Sequence, residues 1–200
     1  FRSASGGGDV IVRTFGVAAP LAHVVVEFEN ATPDAVAVAV RLRSATAGRP
    51  LDDLAVDGRL VATPTRDLLV AARPPSAWSG ATEGPELGAG TVVWPVAHRT
   101  TLRLAVPLVA PRTGDLTRVE PDRSAAIDDV LLGWDRMLDR SMRVEHDDAA
   151  FAHAVAGARA GLLLRAGADR PRPDAATLQA LEDWGFDTEA TELWQRASWR

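Results

Sequence analysis

The hydrophobic rhythm of the chain changes near Pro111, and that change limits the folds open to it. Before Pro111, apolar residues alternate with polar or small ones, as in Val36, Val38, Val40 and Leu42, and again in Leu102, Leu104, Val106 and Leu108. After about Pro121 they recur every three or four residues: Ile127, Val130, Leu131, Trp134, Met137 and Leu138. A period of two turns one face of a strand toward a core, whereas a period near 3.6 turns one stripe of a helix inward. The sequence therefore predicts an α+β fold, an antiparallel β-sandwich over residues 1–111 followed by helices.

Strands are expected at Val10–Val17, His23–Asn30, Ala35–Arg43, Leu54–Val56, Arg59–Ala62, Asp67–Ala72, Thr91–Ala97 and Thr100–Val109. The cluster Asn30-Ala31-Thr32-Pro33-Asp34 predicts a reversal that pairs the second strand with the third. Asp57-Gly58 suits a two-residue hairpin, because both residues tolerate positive φ. Residues 73–90, rich in Pro and Gly, read as one long irregular loop. Residues 112–146 read as a linker with one helix, capped by Asp122 or Ser124 and running to about Arg140. Residues 147–200 read as helical hairpins. Asp147 and Asp148 cap the first of these helices, whose stripe is Phe151, Val155, Ala158 and Leu162 and whose stop is Gly167. Asp174 starts a helix carrying Leu178, Leu181 and Trp184 and ended by Gly185. Asp187 caps the last, with Leu193 and Trp194 on its apolar side.

The 22 basic residues are all Arg, against 27 acidic ones, for a net charge of −5. The arginines are scattered among acids, so the sequence lacks the concentrated basic surface that phosphate binding requires, and no nucleic-acid partner is expected. The abundance of Ala, Val, Arg and Gly fits a GC-rich bacterial coding bias. Cysteine is absent, which excludes disulfides, thiolate metal sites and a Cys nucleophile. No apolar run approaches the length of a membrane span, so no membrane partner is expected. The chain opens FRSASGGG without Met or a signal-peptide pattern and reaches Trp199-Arg200 inside a helical run, so it reads as a fragment of a longer protein; the expected compartment is the cytoplasm.

No complete catalytic constellation is present. His23, His98, His146 and His153 are far apart and match no tight metal-ligand spacing, so no metal or other cofactor is expected. The acid pairs Asp52-Asp53, Asp128-Asp129, Asp147-Asp148 and Glu182-Asp183 are sequence neighbours. On a helix such neighbours diverge by about 100° and read as caps or solvated faces. Trp94 sits in a strand and reads as core. Trp78, with Glu83 and Glu86 nearby, is the candidate sugar-binding group: an indole can cover the apolar face of a pyranose while carboxylates accept its hydroxyl protons. The more ordinary role of such an indole is to pin the loop to the core.

The run WDRMLDRSMRVEHDDAAFAHAVAGARAGLLL (Trp134 to Leu164) resembles the junction between linker helix and toroid in bacterial six-hairpin glycosidases of glucoamylase-like and trehalase-like type. LEDWGFDTEATELWQR (Leu181 to Arg196) resembles one of their toroid hairpins. The likeness rests on motif over residues 121–200 and on architecture over residues 10–110. It implies a β-sandwich, a linker helix and the start of an (α/α)6 toroid, with carbohydrate and the remaining toroid helices as partners. Inverting members of such enzymes need two carboxylates about 6.5–9.5 Å apart, and the resemblance implies that these lie outside this chain. The chain by itself is then expected to be inactive. A non-enzymatic β-sandwich interaction module is the alternative reading.

Overall fold

A computed structural model describes residues 8–17, 21–44, 46–80, 86–108, 111, 114–167 and 175–198. The chain divides into two compact units, Phe1–Ala125 and Ala126–Arg200, a division that falls within the stretch read as linker. Among the described residues, the first unit holds nine strands: β1 (Val10–Val17), β2 (His23–Asn30), β3 (Val36–Arg41), β4 (Ala55–Asp57), β5 (Leu60–Thr63), β6 (Arg66–Ala71), β7 (Ala77–Trp78), β8 (Thr91–Val96) and β9 (Thr101–Pro107). They form a six-stranded sheet in the order β1-β2-β9-β6-β5-β4 and a three-stranded sheet in the order β3-β8-β7. Neighbouring strands in both sheets run antiparallel. The α+β class expected from the change of rhythm is the observed one.

Alternation in the strands is used as expected. Val61, Leu69, Ala71, Leu102 and Leu104 of the larger sheet meet Val38, Val92, Trp94 and Val96 of the smaller one in a single core. Trp94 is fully buried and donates its indole N–H to the Arg73 carbonyl at 3.1 Å, so burying the ring leaves its one polar atom partnered.

Pairing departs from the sequence reading in three places. First, β3 does not return beside β2. Its neighbour is β8, in register from Val36↔Val96 to Arg41↔Thr91, while β2 lies between β1 and β9. Proximity in sequence favours a hairpin, but here the chain crosses from one sheet to the other at the turn. Second, the β4–β5 ladder closes on Asp57↔Leu60. The turn residues are therefore Gly58 and Arg59, one position later than expected, and Gly58 takes φ +55°. Third, the stretch 73–90 is not wholly irregular: Ala77 and Trp78 pair with Val93 and Val92 as an edge strand. Gly90 ends this stretch with φ +74°, and a Cβ there would meet the Leu51 nitrogen at 3.1 Å. The close approach of two backbones thus fixes glycine at that position.

The two crossings at one end of the sheets are tied together by Asn30, which is fully buried. Its backbone donates to Thr100 O (3.0 Å) and accepts from Arg99 N (2.9 Å). Its side-chain amide donates to Asp34 O (2.8 Å) and Val96 O (2.9 Å), and its carbonyl accepts from the Thr32 nitrogen and hydroxyl.

Residues 114–124, read as linker, are packed on the outer face of the larger sheet. Leu116 and Val119 form a second core with Val70 and Ala105. A register shift between Val61 and Ala62 leaves Asp67 free to accept from the Gly114 nitrogen at 2.8 Å and the Leu116 nitrogen at 3.3 Å. This is the re-aiming of a side chain that a bulge makes possible.

The second unit holds α1 (Ile127–Asp139), α2 (Ala149–Gly167), α3 (Ala175–Asp183) and α4 (Asp187–Ser198). Asp148 caps α2, accepting from Ala150 N at 2.8 Å, as expected. The other caps differ. Asp122 and Ser124 lie in and beside a short 3-10 turn upstream of α1, whose first turn is closed instead by the Asp129 carboxylate accepting from Ala126 N. Asp187 is the first helical residue of α4 and Phe186 occupies the cap position, its carbonyl accepting from Ala190 N at 2.9 Å. Asp174, proposed as the α3 cap, lies outside the described residues. The buried line of α2 is Arg159, Leu163 and Ala166, whereas Phe151 and Ala158 of the expected stripe are exposed. Trp194 is also exposed, and Leu193 alone of the expected α4 pair is buried.

Replacing Asn30 by Ala removes four side-chain hydrogen bonds in a buried site and leaves their partners unsatisfied. Asn30→Ala is expected to lower stability by about 2–4 kcal/mol, read as a shift of the urea midpoint at constant slope. Asn30→Asp retains the acceptor and loses the donors, and should fall by a comparable amount.

Candidate functional site

Among the described residues, an open groove with a polar and apolar lining lies between α3 and α4. The two helices form a hairpin whose turn follows from three residues. Gly185 takes φ +75° and donates to Glu182 O at 2.9 Å, while Phe186 N donates to Leu181 O at 2.8 Å. This is the paired closure of a helix C-terminus that glycine in the left-handed region permits. Leu181 and Phe186, both buried, seal the turn beneath it. Gly185 therefore ends the helix as the sequence predicted.

Arg159 holds this turn from below. Its guanidinium hydrogen-bonds to the Leu138 carbonyl and the Ser141 hydroxyl. It also lies 5.7 Å from the Trp184 ring and 5.8 Å from the Phe186 ring. A planar cation suits this place because it caps the end of α1 with its edge and covers aromatic rings with its face. Arginines fasten the helices elsewhere too: Arg140 pairs with Glu189, and Arg196 donates to Ala166 O at 3.2 Å. Met142 N donates to Trp184 O at 2.9 Å, bringing the segment after α1 onto the same turn.

Above the turn runs an open groove of about 680 Å³. One wall is a row of α3 residues, Ala175, Leu178, Gln179 and Glu182, with Asp183 at its end; the other is a row of α4 residues, Asp187, Ala190, Thr191 and Trp194. Each row repeats at i, i+3, i+4 and i+7, the spacing that lines one helix face. The hairpin places Glu182, Asp183 and Asp187 at the turn end and Ala175 and Trp194 at the other, so the groove is graded from acidic to aromatic. Leu178 and Ala190 are its less exposed members, and Trp194 stands 64% exposed. The arrangement offers a flat apolar surface, carboxylate acceptors, and an amide and a hydroxyl that both donate and accept.

The candidates read from the sequence are placed as follows. Trp78 is half-buried in β7 and packs against the main core. Glu86 is exposed before β8, and Glu83 lies outside the described residues. His23 is buried in the larger sheet, its Nδ1 2.5 Å from Leu21 O and its Nε2 3.2 Å from the Ser124 hydroxyl. His98 contacts Thr32 O at the β8–β9 turn. His146 Nδ1 accepts from Asp148 N at 3.0 Å, and its ring lies 4.5 Å from that of Phe151. His153 is exposed on α2. Asp52-Asp53 and Asp128-Asp129 are exposed, and Glu182-Asp183 is the one acid pair on the groove. Among the described residues, no group of three or more His, Asp or Glu side chains is disposed to hold a metal ion.

A polar ladder crosses the larger sheet where strand register sets Arg13 opposite Glu27 and Glu27 opposite Arg103. Glu27 is buried and accepts from Arg13 at 2.9 Å and from Arg103 at 2.8 Å, and Arg13 also reaches Glu29 at 2.7 Å. The Glu29 hydrogen bond, helped by Glu27 and opposed by desolvation, raises the Arg13 pKa. Each charge here is spent on another, which makes the ladder a means of holding three strands rather than a ligand site.

The sequence reading misses the groove because it sets Leu193 and Trp194 on one apolar face. Adjacent helical residues point about 100° apart. The signal that separates them is the i, i+3, i+4, i+7 row from Asp187 to Trp194. Comparison with protein-family models, with curated proteins and with solved structures finds no match.

Arg159→Ala removes the donor to Leu138 and Ser141 together with the cation over two rings, and is expected to destabilise the α3–α4 turn by about 2–4 kcal/mol. Amide exchange of Phe186 and Ala190 should quicken accordingly, while Asn30 and Leu104 exchange at their former rates. Arg159→Lys should recover only part of the loss.

Proposed function

We propose that this chain is the non-catalytic sandwich-and-helix portion of a six-hairpin glycoside hydrolase-like protein acting on an α-linked glucan or oligosaccharide. The observation that carries the reading is the apolar surface that α1 and α2 leave in water. In the helical unit α1 has no buried residue, and Leu131 and Leu132 on α1 and Leu164 on α2 are 54%, 49% and 64% exposed. Exposed apolar surface of this kind is what a partner element commonly covers. Further helices laid against α1 and α2, as a toroid would supply, satisfy that demand. The order of β unit then helices and the Trp134 to Leu164 run support the same reading. Its role is to brace the helices, the carboxylates being supplied elsewhere in the protein; a cytoplasmic location belongs to the same proposal. Among the described residues, no helix is long and apolar enough to cross a membrane.

A second reading, a non-enzymatic binding or interaction module, is favoured by the α3–α4 groove, which needs no catalytic partner to take a ligand.

The two are separated by assaying release of reducing sugar from maltodextrin by this chain and by the product of the whole reading frame. The glycosidase reading expects none from the chain and turnover from the whole product. Absence of turnover on α-linked glucans by the whole product would leave the binding module as the better account.

A further inference from the structure

We propose that the open edge of β3 is a docking site for an extended segment of a partner polypeptide, which adds a strand to the three-stranded sheet.

Two observations meet at this edge. The first is a row of backbone groups that no neighbouring strand uses. The Ser76 nitrogen donates to Val93 O at 2.9 Å and the Ser79 nitrogen to Thr91 O at 2.8 Å, so Thr91 and Val93 turn their backbone groups toward β7. Successive residues of a strand turn theirs to opposite sides. Val92, Trp94 and Val96 therefore serve β3, where they face Val40, Val38 and Val36. Leu42 follows the same alternation, donating to Gly90 O at 2.7 Å. The N–H and C=O groups of Ala37, Ala39 and Arg41 are left pointing away from the sheet, and among the described residues no strand lies beyond β3. Sheet edges are commonly blunted by shortness, a proline, a bulge or a charge in mid-strand. β4 and β7 have three and two residues, and β1 carries Arg13 in its middle. β3 has none of these guards: it runs for six residues in unbroken register with β8, and its charge, Arg41, stands at the end.

The second observation is an uncovered strip of the larger sheet. Val12, Phe28 and Leu102 stand side by side on β1, β2 and β9, as do Thr14, Val26 and Leu104. Leu102 and Leu104 are 0% and 2% exposed, Phe28 and Val26 are half-buried, and Val12 is 37% exposed. Cover from the smaller sheet thus fades from β9 to β1. The β2–β3 and β8–β9 connections meet at Asn30, which sets β3 over the β1–β2 side and β8 over β9. A strand laid beside β3 bonds Ala37, Ala39 and Arg41 and covers Val12 and Phe28 in one step.

The occupant follows from these two observations. An extended backbone presents donors and acceptors at the spacing of alternate strand residues. Its inner side chains are apolar, to lie on Val12 and Phe28. Its outer ones are polar, with an acidic residue beside exposed Arg41, since opposite charges directly across two strands attract. A second copy does not fit. Antiparallel pairing of two β3 edges about a two-fold axis puts both larger sheets on one side, where their β1 strands would overlap.

The test titrates the full chain with the blocked peptide Thr-Val-Glu-Val-Thr-Val-Ser and follows amide exchange by NMR. In the chain alone, the amides of Ala37, Ala39 and Arg41 should exchange about tenfold or more faster than those of Val38 and Val40, which β8 holds. With peptide present they should slow to match. Ala39→Pro removes an outward N–H at an edge position where proline is tolerated, and should weaken binding about tenfold or more. The same peptide N-methylated at its Glu and second Thr keeps every side chain but loses the donors aimed at β3. Against the unaltered chain it should not bind, a control that stands even where Ala39→Pro disturbs the fold. Slow exchange of Ala37 and Ala39 in the chain alone, no slowing at about 1 mM peptide, or equal binding of the N-methylated peptide would overturn the inference. So would slowing that appears on concentrating the chain by itself with a doubled mass, because the occupant would then be a second copy.

Discussion

One buried amide holds the β unit in its topology. The chain leaves the larger sheet after β2 and re-enters it before β9 at the same end, and Asn30 is bonded to both passages. It reaches Val96 at the end of β8, Thr100 and Arg99 before β9, and Asp34 before β3. Without such a residue the turn 31–35 would be free to fold β3 back beside β2, the hairpin that local chemistry favours. Its cost is the burial of a fully polar side chain, offset only because each of its donors and acceptors is used. Asn30-Ala31-Thr32 also spells a glycosylation acceptor, yet its amide nitrogen is engaged twice and wholly buried. The motif serves the corner instead.

Around that corner the polar groups of the first unit follow one logic. Interior charges occur where register sets opposite signs side by side, as in the Arg13, Glu27 and Arg103 ladder, or where backbone donors converge, as at Asp67. The second unit uses arginine differently. Arg159 and Arg196 give hydrogen bonds to carbonyls of Leu138 and Ala166 at the ends of helices α1 and α2, groups that the helices themselves leave unsatisfied. Arg159 reaches the end of one helix and the turn between two others. It therefore does for the helices what Asn30 does for the sheets. The α3–α4 groove depends on it, because the groove's acidic end is built on the turn that Arg159 supports.

Leu131 and Leu132 on α1 and Leu164 on α2 leave apolar surface in water, and the proposed function draws on that surface alone.

Local patterning determined the longer strands and helices of this chain, because a period of 2 or 3.6 is written in consecutive residues, but not the two-residue strand β7, too short to show a period. It also determined helix ends at Asp148 and Gly185, where one side chain or one φ angle decides. Strand partners were beyond its reach: alternation says that β3 has an inward face, not which sheet it joins, and that was settled by Asn30 and the shared core. Nor did the sequence disclose that Arg159 is buried while Phe151 and Trp194 are not. Residue type gives the usual environment, but burial is decided by which helices arrive alongside. The candidate site was illegible for the same reason. Its two walls are separate rows on separate helices, and only the α3–α4 hairpin turns them toward one another.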